Sequence, residues 1–471
     1  MQITPRQALL LIAAALALSA CDAGSSSGAG GGSGTGGSSA SGGQPSVSEG
    51  TLGISVSSRI PARTSVLGVN YWLWAPTWGD NVAGTEAVIE RLHPGVLRVG
   101  GHNNDNNDPD PFDDAELDQA VAYAQAIGAE PLLQVPLLAD SEGKVPTAET
   151  AAAMVEYANV TRAYGVKYFS LGNEPDLYPD QEAGMSSYTA SDYCASVNAF
   201  VPAMLAVDPT IQIVGPDLSW KYQTGAQDWL SQILNDCGDR FDIIAVHRYP
   251  VAPAQTQYAQ AVADASRFGP LITDLRAKIA ASPRGERPLA ITETNITYNG
   301  DPAMPMFDAS PGTLVAGLWA ADTLGVAIAN GLWSLDFWSI REGWSLGLID
   351  LASQPRPAYY ALGLFAEHFG DALVQVSSAP KDVHAYASRN GADDATLVIV
   401  VNSSQSLQKL DVQVSDLPSP VSAHFELAPL SVSALELPDQ GEASGLIYSG
   451  AERSAGSGPV PLEPVAATAS D

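Results

Sequence analysis

The stretch YFSLGNEP, residues 168–175, is the part of the sequence from which the fold can be deduced. A short, mostly apolar run at 168–171 ends in the polar pair Asn173 and Glu174. Buried parallel strands read as continuous apolar runs, so this stretch predicts a strand with polar groups at its carboxyl end. Seven further runs have the same character: 66–70, 96–100, 131–135, 211–215, 243–247, 289–293 and 333–338.

The segments between several of these runs have the apolar spacing of helices. Leu117, Val121, Ala124 and Ile127 recur at intervals of three or four residues, which places them on one helical face. Alternation of strand and helix across residues 66–370 predicts an α/β fold, a (β/α)8 TIM barrel. In such a barrel the side chains at the carboxyl ends of the strands form the functional site.

The composition changes after the barrel. Segments within 371–440 alternate apolar and polar residues between turn signals, which predicts a C-terminal antiparallel β-sandwich domain. Residues 51–65 are predicted to add an N-terminal strand to it. The last segment, 441–471, is rich in Pro, Ala, Ser, Gly and Glu and is predicted to be a disordered tail.

The first 50 residues have the composition of a targeting segment and a tether. Residues 1–20 contain Arg6, a short apolar run and small residues, which indicates a secretory signal peptide. Residues 18–21 resemble a bacterial lipobox, with Cys21 as the lipidation site, and the alternative is a short core helix. Residues 21–50 are rich in Gly and Ser and predict a flexible tether. The expected location is the bacterial cell envelope, lipid-anchored to the membrane, periplasmic or extracellular.

Charge and cysteine content narrow the possible partners. The chain has 22 Lys and Arg against 52 Asp and Glu, a net charge of −30, which excludes nucleic acid as an expected partner. With Cys21 lipidated, Cys194 and Cys237 remain. An exported chain meets an oxidising compartment, so the pair is either a disulfide or two unrelated buried thiols.

Several of the predicted strands end in polar or aromatic side chains. Glutamates stand at the ends of the fourth and seventh strands: Glu174 and Glu293. The side chains at the other strand ends are Arg98, Asn173, His247, Tyr249 and Trp338. Because strands four and seven face each other across a small barrel, both carboxyl groups can point into one pocket.

Two glutamates on opposite strand ends match the needs of glycoside hydrolysis. One carboxylic acid protonates the departing oxygen and the other attacks the anomeric carbon, and net retention requires carboxyl groups about 5–5.5 Å apart. The sequence therefore predicts Glu174 and Glu293 as a catalytic pair, with an oligo- or polysaccharide as substrate. No metal or other cofactor is expected to take part.

The motif at 171–175, Leu-Gly-Asn-Glu-Pro, resembles the acid/base motif of glycoside hydrolase clan A. The resemblance covers residues 66–370 at the level of the barrel and implies a retaining glycosidase with Glu174 as acid/base and Glu293 as nucleophile. It also implies that Arg98 orients the nucleophile and that Asn173 binds the sugar 2-hydroxyl. His247-Arg248-Tyr249 is similar to the clan's His-x-Tyr, in which the tyrosine contacts the nucleophile, and Trp338 to the floor of its sugar subsite.

Within the clan, the motif at 97–101 and the C-terminal domain look most like the heparanase and β-glucuronidase family. Such a substrate carries a carboxylate, for which Arg248 or Arg341 is the candidate partner. We also expect Arg98 to favour the charged form of Glu293, and that charge to raise the pKa of Glu174.

A few further residues have a functional and a structural interpretation. Two interpretations apply to Trp72, Trp74 and Trp78: their rings stack on a sugar, or they pack within a loop. The Asn- and Asp-rich segment 102–114 lines the sugar site, binds calcium or is a solvated loop. Glu342 reaches the pocket rim or makes a surface ion pair. The alternative functions are a catalytically inactive carbohydrate-binding lipoprotein and an adhesin-like surface protein.

Overall fold

The computed structural model describes residues 46–72, 82–106, 113–223, 225, 227–300, 309–342, 345–390 and 394–466. The signal peptide and most of the tether lie outside these residues. Among the residues described, no helix has the length and apolar character needed to cross a bilayer.

The strands of the described residues form a barrel and a separate sheet. In chain order they are β1 Val47–Pro61, β2 Leu67–Tyr71, β3 Val96–Val99, β4 Glu130–Val135, β5 Tyr168–Leu171, β6 Gln212–Leu218, β7 Ile243–Arg248, β8 Leu289–Thr294, β9 Ser334–Phe337, β10 Ala372–Ser378, β11 Val383–Arg389, β12 Ala395–Asn402, β13 Leu407–Ser415, β14 Val421–Leu427, β15 Ser431–Pro438, β16 Ser444–Tyr448 and β17 Val460–Leu462.

The helices of the described residues lie mainly between the barrel strands. They are α1 Glu86–Glu90, α2 His102–Asp105, α3 Asp114–Ala126, α4 Ala148–Val155, α5 Tyr178–Gln181, α6 Ala190–Val207, α7 Trp229–Asp236, α8 Tyr258–Ala281, α9 Leu314–Ala329, α10 Pro357–His368 and α11 Gly450–Ser454. Asp113 and Thr189 start α3 and α6 with capping boxes, in which side chain and backbone satisfy each other's free groups.

The predicted TIM barrel is confirmed. Strands β2 to β9 close in sequence order, and every neighbouring pair is parallel. Alternation along β3 shows how the two faces are used: Val96 belongs to a small cluster inside the barrel, whereas Leu97 packs in the larger core shared with the helices. Arg98, two residues after Val96, therefore points inward, which puts a charge inside the barrel.

The predicted antiparallel sheet domain is also confirmed, with one parallel pair. Its strands follow the order β14-β13-β1-β10-β11-β12-β15-β16-β17, and only β1 and β13 run parallel. Residues from strands across the sheet share one apolar core, among them Leu52, Val398, Val412 and Phe425. The sheet therefore curls around its own core.

The prediction of a disordered tail from residue 441 is wrong for most of the segment. The strand β16 pairs with β15, and β17 pairs with β16. A capping box at Ser449 and Glu452 starts α11 between these strands. Pairing within the sheet orders this segment, because it satisfies the backbone N–H and C=O groups of its strands. Composition alone does not reveal such pairing.

The barrel and the sheet domain meet through apolar residues such as Ile399 and Val432, which belong to the barrel core, and through polar contacts on α9. Asp322 accepts hydrogen bonds from His384 Nδ1 at 2.6 Å and from the Tyr386 hydroxyl at 2.5 Å. The Tyr386 ring lies against Gly325, where a Cβ atom would come within 2.3 Å of it. The absence of a side chain at Gly325 thus allows the two domains to approach closely.

Cys194 on α6 and Cys237 after α7 form a disulfide, the first of the two alternatives that the sequence allows. Both cysteines are buried in the barrel core. The bond ties two neighbouring helices across 43 residues of chain.

Replacing both cysteines, Cys194→Ser with Cys237→Ser, should lower the free energy of unfolding by roughly 2–4 kcal/mol, because the unfolded chain gains freedom. Denaturant unfolding of the variant and of reduced wild type would measure it. Equal stability of all three forms would contradict a stabilising role for the bond.

Candidate active site

Glu174 stands at the carboxyl end of β5 in an unusual backbone conformation. Its φ is 50° and its ψ 51°, which is the left-handed region that few residues other than glycine adopt. Its N–H donates to the Asp217 carbonyl at 3.1 Å, and a helical turn at Pro175–Leu177 follows directly. Such backbone strain concentrates at functional sites.

Glu293 lies near the end of β8, where the strand is irregular on both sides. The register shifts between β7 and β8 at Val246 and His247, and between β8 and β9 after Ile291. Irregularities of this kind redirect side chains. Glu293 Oε1 accepts a hydrogen bond of 2.5 Å from the Tyr249 hydroxyl.

The two glutamates converge at the barrel mouth. One carboxylate oxygen of each, together with a ring nitrogen of His247, forms a group whose atoms all lie within 4.8 Å of one another. His247 Nδ1 lies 3.1 Å from Glu174 Oε1 and 3.7 Å from Glu293 Oε2. The side chains of Glu174 and Glu293 are 19% and 10% exposed, so both remain accessible from the mouth.

The expected rise in the pKa of Glu174 is not what the structure gives. Burial of Glu174 favours its neutral form, but the hydrogen bond and the charge of His247 prevail and lower its pKa. Burial of His247 likewise opposes its charge, yet the charge of Glu293 and the hydrogen bond to Glu174 raise its pKa. The charge of Glu293 alone would raise the pKa of Glu174, but the imidazole of His247, 3.1 Å from Glu174 Oε1, reverses the direction.

Arg98 joins the nucleophile side of the site to the acid side. Its guanidinium donates to Glu293 Oε2 at 3.0 Å, to Asn173 Oδ1 at 2.8 Å and to Asn70 Oδ1 at 2.9 Å. Arg98 is fully buried, and Asp217 lies 3.8 Å away. Because the side-chain oxygen of Asn173 accepts from Arg98, the amide N–H groups of Asn173 point away from the guanidinium.

Trp338 lies at the end of β9 on the opposite side of the mouth from Glu174. Its ring meets that of Trp72 edge to face, with centroids 4.9 Å apart. At Gly101, where φ is 124°, a Cβ atom would lie 2.8 Å from the Trp338 ring. The floor formed by the two indoles therefore depends on a glycine at this position.

The structure adds buried acids that the sequence argument did not assign to the site. Asp217, at the end of β6, accepts from the Thr292 hydroxyl at 2.5 Å and lies 3.9 Å from His247 Nε2. Asp336 lies inside the barrel, where burial raises its pKa well above the usual range. Asp217 follows the predicted strand 211–215, just as Glu174 follows the strand before it. This position at a strand end is the sequence feature that could have identified Asp217.

Asp105 holds the backbone next to Glu174 in place. Its carboxylate accepts from the N–H groups of Asn173 at 2.9 Å and Leu137 at 2.8 Å, and from the Tyr178 hydroxyl. Burial raises the pKa of Asp105 to about 6. In the segment 102–114, residues 107–112 lie outside the described residues, and Asp105 itself points into the protein.

Three other residues that the sequence offered as candidates have structural roles. Arg248 on β7 is buried, pairs with Asp264 at 2.6 Å and lies over the Phe268 ring, so it does not face the mouth. Arg341 donates to the Leu351 carbonyl at 2.6 Å. The buried Glu342 accepts from the backbone of Leu346 rather than reaching the pocket rim. Trp74 and Trp78 lie outside the described residues.

The cluster of Glu174, His247 and Glu293 offers one ligand atom from each residue to a metal ion. The guanidinium of Arg98, 3.0 Å from Glu293 Oε2, places a fixed positive charge against that carboxylate. This charge opposes the binding of a cation and favours a reactive carboxylate.

Comparison with known proteins relates part of this chain to glycosyl hydrolases. Residues 123–295, which include both glutamates, match the family model described as "Glycosyl hydrolase catalytic core". A search of curated protein sequences finds no match to this chain.

Similar folds occur among solved structures of glycoside hydrolases. CelM2, a bifunctional glucanase-xylanase from a metagenome library, is 16% identical with a TM-score of 0.64, over 82% of this chain and 99% of that one. The α-L-arabinofuranosidase of Thermotoga maritima is 18% identical with a TM-score of 0.63, over 82% and 99%. A family 44 xyloglucanase of Paenibacillus polymyxa is 14% identical with a TM-score of 0.63, over 83% and 100%.

The TM-scores of 0.63–0.64 show a shared fold, and the family model indicates a glycosyl hydrolase catalytic core. The finer resemblance to the heparanase and β-glucuronidase family stays a prediction.

Proposed function

We propose that this protein is a retaining glycoside hydrolase that cleaves a β-linked or arabinofuranosyl bond in an extracellular glycan. The observation that carries the proposal is the approach of Glu174 and Glu293 to within 4.8 Å across the barrel mouth. Retaining enzymes hold their carboxyl groups about 5–5.5 Å apart, whereas inverting enzymes need about 6.5–9.5 Å to admit a water molecule.

Each residue of the site has a defined task in a double displacement. Glu293 attacks the anomeric carbon while Glu174 protonates the leaving oxygen, and Glu174 then activates the water that releases the sugar. Arg98 and Tyr249 hold one Glu293 oxygen each, which fixes the direction of attack. Asn173, its oxygen bound by Arg98, is free to donate from its amide to a sugar hydroxyl.

His247 affects the protonation of Glu174. Its Nδ1 lies 3.1 Å from Glu174 Oε1, and its hydrogen bond and charge favour the ionised form of Glu174 in the free site. Bound sugar displaces water and lies against both carboxyl groups, which favours the protonated form of Glu174. The charge on Glu293 opposes a second negative charge nearby.

Two observations favour a neutral glycone. Arg248, one candidate partner for a uronate, is buried against Asp264, and Arg341 binds a backbone carbonyl. The structurally similar enzymes named above act on glucans, xylans, xyloglucan or arabinosides, which are built largely from neutral sugars. We therefore propose a glucosyl, xylosyl or arabinofuranosyl glycone.

Glu293→Gln should abolish hydrolysis, since the amide is a poor nucleophile, whereas Glu174→Ala should slow it by about 10²–10⁴-fold. The loss in Glu174→Ala should be smaller for activated aryl leaving groups, which depart without a proton. Kinetics on a panel of aryl β-glycosides and an aryl α-arabinofuranoside would test both variants.

A signal on one glycone that disappears in Glu293→Gln would establish the nucleophile and the substrate class together. Substantial activity in Glu293→Gln would refute the assignment. If wild type hydrolyses no aryl glycoside, polysaccharide digestion distinguishes an endo-acting enzyme from the carbohydrate-binding alternative.

His247→Gln should move the basic limb of the kcat/KM profile to higher pH. Activity requires protonated Glu174 and falls as pH rises through its pKa. Because His247 lowers that pKa, removing its charge raises the pKa and extends activity upward. A pH profile of both proteins measures the shift, and an unchanged basic limb would contradict the role of His247.

We also propose that the protein is lipid-anchored at Cys21 in the bacterial cell envelope, on the periplasmic or extracellular side of the membrane. The apolar run and the lipobox-like residues 18–21 support this location, and the Gly- and Ser-rich residues after them give reach from the membrane.

Cys21→Ser should release the protein from the membrane fraction, because the acyl chains attach to the cysteine thiol and the new amino terminus. Fractionation of expressing cells and labelling with radioactive palmitate would show it. Membrane retention of an unlabelled Cys21→Ser variant would disprove the anchor.

A further inference from the structure

Trp220 is a large exposed aromatic at the mouth that has no role in the mechanism above. It follows β6, and its side chain is 40% exposed, whereas Trp338 is buried and Trp72 partly buried. Trp72 follows β2 and Trp338 follows β9, which are neighbours in the barrel. The strand β6 lies directly opposite β2 in the closed order of eight. Trp220 therefore follows a strand that lies across the barrel from the strands that carry Trp72 and Trp338.

Trp220 is tied to the acid residue by a short, rigid connection. Asp176, two residues after Glu174, accepts three successive backbone N–H groups at 2.9–3.0 Å, those of Ser219, Trp220 and Lys221. The Ser219 side chain also hydrogen-bonds to Glu174. The position of the indole is thus fixed relative to the carboxyl group that protonates the leaving oxygen.

The cation of Lys221 supports the indole. Its ammonium lies 5.4 Å from the Trp220 ring centre and 5.3 Å from that of the buried Trp229. Lys221 Nζ also donates to the Asp176 carbonyl at 2.6 Å, which locks the side chain in place. Cation–π contact of this kind holds an aromatic ring in one orientation.

We propose that Trp220 is the stacking platform for the sugar on the leaving-group side of the scissile bond. Because Glu174 protonates the leaving oxygen, the departing sugar must lie beside Glu174 and away from the floor at Trp338. Trp220 follows β6, the neighbour of the strand that carries Glu174, and it is 40% exposed. The ligand is a neutral glycosyl residue with an apolar ring face, so the substrate has sugar on both sides of the cleaved bond. This inference depends on the proposed glycosidase function.

The test compares two substrates that share the glycone accepted by the wild type. The first is the oligosaccharide, whose leaving group is a sugar, and the second is the glycosyl fluoride, whose leaving group has no ring. Trp220→Ala should raise KM for the oligosaccharide about tenfold, the value of one aromatic contact, and leave kcat and KM for the fluoride unchanged. Trp220→Phe should recover most of the loss, since it keeps an aromatic face.

The outcomes separate the two proposals. Equal oligosaccharide kinetics in wild type and Trp220→Ala would overturn the platform and leave the glycosidase intact. An equal loss on the fluoride would also overturn it, because the indole would then act on the catalytic pair rather than on the leaving sugar. Hydrolysis of neither substrate by wild type would overturn the proposed function, and the platform with it. Thermal melting of each variant verifies the fold.

Discussion

The guanidinium of Arg98 is the charge on which the rest of the site depends. It is fully buried inside the barrel and contacts Glu293, Asn173 and Asn70 directly. A buried cation is tolerated only where anions and oxygen acceptors surround it. The carboxylates of Glu293 and Asp217 provide that compensation, and the arginine in turn allows them to remain close together.

This mutual dependence explains why the barrel interior changes character along its axis. Apolar residues such as Val96 and Ala290 fill the lower part. Above them, the side chains around Arg98 are polar or charged, and Asn70, Asn173 and Glu293 each accept a hydrogen bond from it. The closed ring of parallel strands holds these groups at fixed separations, since each strand is bound on both sides. The strands therefore preorganise Asn70, Arg98 and Glu293, while hydrogen bonds from their backbone N–H groups to Asp105 and Asp217 hold Asn173 and Glu174 just beyond β5.

Sequence patterns predict most of the barrel because buried strands have a local signature. The apolar runs and the polar residues after them mark β5 and β8, and with them Glu174 and Glu293, which the structure brings together. Contacts that link distant strands leave no such signature. The hydrogen bond between His247 and Glu174 reverses the expected pKa shift of the acid, and the pairing of β16 with β15 orders a segment whose composition suggests disorder. Both depend on neighbours far away in the chain.

The first strand has a consequence for how the chain reaches its folded form. In the sheet domain β1 lies between β10 and β13, so that Gly53 pairs with Ser378 and with Gln413. The strand β1 therefore has no partner strand in the sheet until more than 300 further residues, which include the whole barrel, have been made. Closing such distant contacts is slow. The chain must be made beyond the barrel before the sheet domain can take up its first strand.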